Sequence, residues 1–160
     1  MTDNLIVMPG LARLDLKALQ TVAVEFGWTV NVVHDLPDLA DAQADGKTAA
    51  VFFHREAFGS NCSWFEAVRL LKLVVPGVRL VACHGFQEPI DWPELCDAGA
   101  FHALWLPLKE NEVRRSLGFI SEAEKRKEPA LVPLAILSPP RRAPDVSAAH
   151  GGVLQAFAAR

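Results

Sequence analysis

The sequence predicts a three-layer α/β/α protein, with five parallel strands covered by helices on both faces. Three observations predict it. Short apolar runs alternate along the chain with helical patterns whose apolar residues share one face. Gly and Pro stand at the junctions, where a strand or helix must stop. The chain has 160 residues, of which 51% are hydrophobic and 22% charged. That is enough to bury a full core and too apolar for a disordered chain.

The elements follow in order. Leu5-Ile6-Val7-Met8 is a first strand, stopped by Pro9-Gly10. A helix then places Leu11, Leu14, Ala18, Leu19, Val22 and Phe26 on one face, and Gly27 sits where a helix C-terminal glycine is expected. Thr29 to Val33 is rich in β-branched residues and reads as a second strand. Pro37 to Ala44 is a short, weak helix ending near Gly46. Ala49 to Phe53 is a third strand, and Arg55 to Cys62 a loop. The next helix runs from about Ser63 through Leu71 and buries Trp64, Phe65, Val68 and Leu71. After Pro76-Gly77, Arg79 to Cys83 is a fourth strand. Asp91 caps a short helix through Leu95 to Ala98, closed by Gly99. Ala103 to Leu106 is the fifth strand, and a last helix after Pro107 turns Val113, Leu117, Ile120 and Ala123 inward.

Composition changes near Glu124. Lys125-Arg126-Lys127 is a charge cluster, and Pro129, Pro133, Pro139, Pro140 and Pro144 then interrupt any long element. The expectation is a domain over residues 1–126 and a proline-rich, extended tail over 127–160. Val146 to Ala159 is a candidate short helix weakened by Gly151-Gly152.

Several function classes fall away. The net charge of −3 gives no overall pull toward nucleic acid or anionic membrane. Met1-Thr2-Asp3-Asn4 lacks the features of a signal peptide, and no apolar run approaches a membrane span, so a cytoplasmic location is expected. Cys62, Cys83 and Cys96 lack metal-finger spacing and read as free thiols. Met8-Pro9-Gly10-Leu11 has only one glycine, against a dinucleotide loop, and lacks the Ser and Thr of a flavin phosphate loop.

Asp97-Ala98-Gly99-Ala100, followed by a strand ending in Leu106-Pro107 and then a helix, resembles the corresponding stretch of response-regulator receiver domains. Val75-Pro76-Gly77-Val78 resembles the turn before their fourth strand, and the likeness covers Asn4 to Arg126. It implies a flavodoxin-like (CheY-like) doubly wound sheet in the order 2-1-3-4-5. Phosphotransfer in that family needs an acidic pair for Mg²⁺ after the first strand and an acceptor Asp after the third. It also needs a hydroxyl after the fourth strand and a Lys after the fifth, because a cation and an ammonium must offset the charge on the transferring group. Here Met8 and Pro9 stand at the acidic pair, His54 at the acceptor, Cys83 at the hydroxyl and Leu106 at the lysine. Only Pro107 of the Lys-Pro pair remains, and Ala103 stands where the switching aromatic residue usually lies. The resemblance therefore implies a pseudo-receiver with no aspartyl-phosphate switch and no cofactor. Arg55 and Glu56 adjoin His54, but no evident activating acid or cation supports a phosphohistidine there.

In such a sheet Met8, His54, Cys83 and His84 should approach one crevice. His54, Cys83 and His84 are candidate ligands for a soft metal, although packing explains these residue types more simply. Cys83 beside His84 also admits a reactive thiolate, against which a buried structural thiol is the simpler account. Trp28 and Trp105 read mostly as core. Trp92 reads equally as an exposed hot spot or as packed under its loop with Phe86 or Pro89. Arg114 and Arg115 give the last helix a basic character, diluted by nearby glutamates.

The expectation is thus a non-enzymatic, phosphorylation-independent module of two-component signalling that acts by protein contact. The candidate face comprises Trp92, Leu95, Ala103, Trp105, Arg114 and Arg115. The expected partner is a histidine kinase, another regulator or the chain itself as a homodimer, not nucleic acid or membrane. The alternative is small-molecule or soft-metal sensing by the remodelled crevice.

Overall fold

Strand residues alternate between two apolar layers, and this alternation organises the domain. A computed structural model describes residues 3–44 and 47–127. The strands are β1 (Asn4–Val7), β2 (Thr29–Val32), β3 (Thr48–Phe53), β4 (Arg79–His84) and β5 (His102–Trp105). The helices are α1 (Arg13–Glu25), α2 (Leu36–Ala44), α3 (Trp64–Val74), α4 (Trp92–Ala98) and α5 (Glu110–Lys127), with a short 3-10 turn at Arg55–Phe58. The five strands form one parallel sheet in the order β2-β1-β3-β4-β5, as the resemblance implies.

Leu5, Val7, Phe52, Val81, Cys83 and Leu104 face one layer, with Leu19 and Val22 of α1 and Val113, Leu117 and Ile120 of α5. Ile6, Met8, Val51, Phe53, Leu80 and Ala82 face the other, with Leu39 of α2, Val68 and Leu71 of α3 and Leu95 of α4. A pleated strand sends successive side chains to opposite faces, so an apolar run with both faces covered serves two cores. Each fully buried large side chain contributes about 1.5–3 kcal/mol.

Local chemistry sets the helix ends. Asp35 Oδ1 accepts the Asp38 N–H at 2.8 Å, so α2 starts on an aspartate cap. Ser63 Oγ accepts the Glu66 N–H at 3.1 Å while Glu66 accepts the Ser63 N–H at 3.0 Å, a reciprocal box that starts α3. Asp91 caps α4, and Gly99 closes it with φ +110°, a left-handed conformation suited to glycine. Arg79 at the start of β4 pairs with Glu124 on α5 and lies 5.5 Å from the centre of the Phe101 ring.

Three expectations need correction. Leu14 is 78% exposed, and the inward face of α1 is Asp15, Leu19, Val22 and Ala23. Phe65 is half-buried and lies beside Arg69, while α3 buries Ala67 in its place. The fifth strand ends at Trp105, and Leu106 joins the following loop through a cis bond to Pro107. The expected tail and its candidate helix at Val146 to Ala159 lie outside the described residues.

Candidate functional site

Parallel strands all end on the same side, so Met8, His54, His84 and Leu106 follow or close β1, β3, β4 and β5 at one rim. Met8 is buried in the α2–α3–α4 layer, and Pro9 is half-buried in the loop beyond it. Gly10 follows with φ +108° and packs closely enough on His54 that an added Cβ would lie 3.2 Å from the His54 Cβ. The first acidic residue after β1 is Asp15, and it is engaged elsewhere. Its Oδ1 accepts the Leu108 N–H at 2.7 Å, within the opposite layer.

His54 directly follows β3, and its imidazole is held from both sides. Nδ1 accepts the Glu56 N–H at 3.2 Å and lies 3.9 Å from Glu56 Oε2. Accepting at Nδ1 places the proton of a neutral ring on Nε2. Nε2 lies 3.1 Å from Glu88 Oε2, close but without hydrogen-bond alignment. Arg55 Nη2 donates to Glu88 Oε1 at 3.3 Å. Trp64 meets the ring edge-on at 5.4 Å. The end of β3 therefore carries a His–Glu–Arg cluster, with two carboxylates facing the imidazole. Glu88 was missed from sequence. It lies 34 residues beyond His54 (88 − 54), and only the fold brings the two together.

The other candidates separate. Cys83 lies in the α1–α5 layer, fully buried, and desolvation with the nearby Asp15 charge pushes its thiol up. That is the environment of a buried structural thiol, which keeps its proton. His84, one residue on, turns to the other face, where its ring lies 4.3 Å from Trp105 and 6.3 Å from Trp64. Cys83 and His84 thus point away from each other. Among the described residues no group of three His, Cys, Asp or Glu side chains could hold a metal.

The predicted interaction face is brought together in part. Trp105 is 44% exposed, not core, because β5 is an edge strand and Trp105 is its last residue. Trp92 is half-buried and meets His102 edge-on at 6.5 Å, and Ala103 is half-buried. Arg115 is exposed. Leu95 is buried under α4 and leaves the face. Arg114 turns toward α1, where its guanidinium bonds both oxygens of Glu25 at 2.6 and 2.7 Å. That pairing holds the Glu25 carboxyl below the usual range and raises Arg114. Two aromatic residues join the face instead. Phe86, 78% exposed, stacks on Trp105 with ring centres 4.7 Å apart. Phe119, 52% exposed, meets His102 at 6.2 Å. Phe119 carried a sequence signal, since it falls out of phase with the Val113–Leu117–Ile120 stripe.

Comparison with solved structures decides the fold. It is that of the response-regulator receiver domains. Similar structures include NtrX from Brucella abortus, with TM-score 0.61 and 18% identity over 80% of this chain and 28% of that one. A two-component response regulator from Clostridium difficile matches with TM-score 0.59 and 14% identity over 78% of this chain and 98% of its own. A CheY-like protein, tadZ, from Pseudomonas aeruginosa PAO1 matches with TM-score 0.58 and 15% identity over 74% and 99%. The chain thus spans 28% of NtrX and nearly all of the other two proteins. No family model and no curated protein matches it.

Proposed function

We propose that this chain is a receiver-fold signalling module that works without aspartyl phosphorylation, by protein contact through its α4–β5–α5 face. The observation that carries the reading is the state of the acceptor position. His54 there faces the carboxylates of Glu56 and Glu88, and the adjacent cation Arg55 is already paired with Glu88. An incoming phosphoryl group would meet like charge where its transfer needs Mg²⁺ and an ammonium. Met8 and Pro9 offer no oxygen ligand from a side chain for a hard divalent ion.

The docking surface in this reading is the aromatic cluster of Phe86, Trp92, Trp105 and Phe119, with exposed Arg115 four residues before Phe119 on α5. Exposed aromatic rings and arginines supply the anchors of many interfaces. The partner is a histidine kinase, another regulator or a second copy of the chain, and the setting is cytoplasmic. Among the described residues no helix is long and apolar enough to cross a membrane. The module carries no catalytic role of its own. Incubation with acetyl phosphate and Mg²⁺ followed by intact mass measurement tests the phosphorylation half. The unmodified mass is expected, and a stoichiometric phosphoryl adduct refutes it. Sedimentation and partner capture, with Trp105→Ala and Phe119→Ala as controls, test the docking half.

A further inference from the structure

Next to the aromatic cluster, a groove of about 480 Å³ opens between α4 and the β4–β5 edge, lined by His84, Ile90, Trp92, His102, Ala103 and Trp105. This volume is in the range of small-molecule sites, and the apolar lining with a few polar groups is of their kind. No lining residue is Asp, Glu, Lys or Arg. Burial lowers the pKa of His102, which keeps that ring neutral near pH 7. The charge lies instead in the adjoining cavity of about 460 Å³, lined by Arg55, Glu88, Asp91 and Glu94, which shares Pro89 and Ile90 with the groove.

His84 is the feature that protein packing leaves unexplained. It is 3% exposed, and its Nδ1 has no hydrogen-bond partner among the described residues. A buried polar atom without a partner is costly, and such atoms in native folds usually have a partner or a purpose. The ring is wedged against Trp105, with centres 4.3 Å apart and planes at 47°. Trp92 and Trp105 add two flat apolar surfaces to the same lining.

We propose that this groove binds a neutral, planar aromatic small molecule bearing one hydrogen-bonding group, which pairs with His84. Contact with Trp92, Ile90 and Ala103 supplies the affinity, and the imidazole supplies the preference for a polar substituent over a bare ring. An anionic ligand finds no counter-charge in the lining and meets the carboxylates of the adjoining cavity. The groove shares Trp92 and Trp105 with the proposed docking surface, but the inference does not rest on that reading and is tested on the isolated chain.

Calorimetric titration of the full chain with three probes tests it: 1-naphthol, naphthalene and naphthalene-1-sulfonate. Saturable one-site binding of 1-naphthol is expected, about tenfold or more tighter than either of the others. The imidazole nitrogen resonances of His84 should move on addition of 1-naphthol and not of naphthalene. Trp92→Ala, at the half-buried rim, should weaken all binding. His84→Phe should abolish the preference for naphthol over naphthalene. Equal affinity for 1-naphthol and naphthalene overturns the proposal. So does the absence of saturable binding, an unmoved His84 resonance, or full affinity in Trp92→Ala.

Discussion

Cys83 is fully buried, and desolvation raises its thiol above the ordinary value of 9.0. The folded chain therefore keeps this proton where the unfolded chain gives it up. Below about pH 9 both states hold it and the group adds no pH dependence. As pH rises further the unfolded state binds fewer protons, so stability falls. Urea unfolding should show that decline, and Cys83→Ala should flatten it after a loss of roughly 1 kcal/mol from the small cavity. An identical alkaline slope in wild type and variant contradicts the assignment. A thiol reagent should likewise modify exposed Cys96 in the native state and leave Cys83 intact until unfolding. His54 makes a second residue-scale case. His54→Ala removes the acceptor for the Glu56 N–H and one neighbour of Glu88, and should cost about 1–3 kcal/mol in equilibrium unfolding. These properties were half legible. The identities Met8, Pro9 and His54 just beyond β1 and β3, and Cys83 near the end of β4, could be read directly from their place along the chain. Glu88 beside His54 and Asp15 beneath Leu108 could not, because those contacts join residues far apart in the chain.

At the scale of the element, local chemistry was the most readable. Asp91 and Gly99 mark α4 correctly because a cap and a left-handed terminus depend on nearby backbone alone. Gly99→Ala should destabilise by about 1–2 kcal/mol, mostly through its positive φ, since the Lys72 tip that a new Cβ would meet can move. Ser63→Ala breaks the box that starts α3 and should cost about 1 kcal/mol in urea. If either variant is as stable as the parent, these end-of-helix accounts are wrong. The face of α1 was less readable. Two helical stripes pass through it, one with Leu14 and one with Asp15. The buried stripe is the one carrying the carboxylate, because Asp15 caps the loop after β5 across 93 positions of sequence. Burial of a charged residue with a distant partner defeats any reading by hydrophobic period.

The whole molecule combines a conventional receiver scaffold with an unconventional rim. Alternating apolar strands and helices carry the parallel sheet and its two layers, which is why the architecture was predictable. The exposure of Trp105 was not, because it depends on β5 lying at the sheet edge. Fold alone does not establish a role. In the proposed function, the face around Trp105 and Phe119 carries the signal, so replacing both by Ala should weaken partner capture or self-association while leaving the folded core intact. Unimpaired association in that double variant would move the docking surface elsewhere. The central claim of the proposed function concerns the rim, where His54 lies against Glu56 and Glu88. Its most direct test is thermal unfolding of the full chain with and without Mg²⁺ plus beryllofluoride, a phosphoryl mimic. A ligand that binds only the folded state raises the melting temperature. The account predicts no change, and a Mg²⁺-dependent rise would contradict it by revealing a working acceptor.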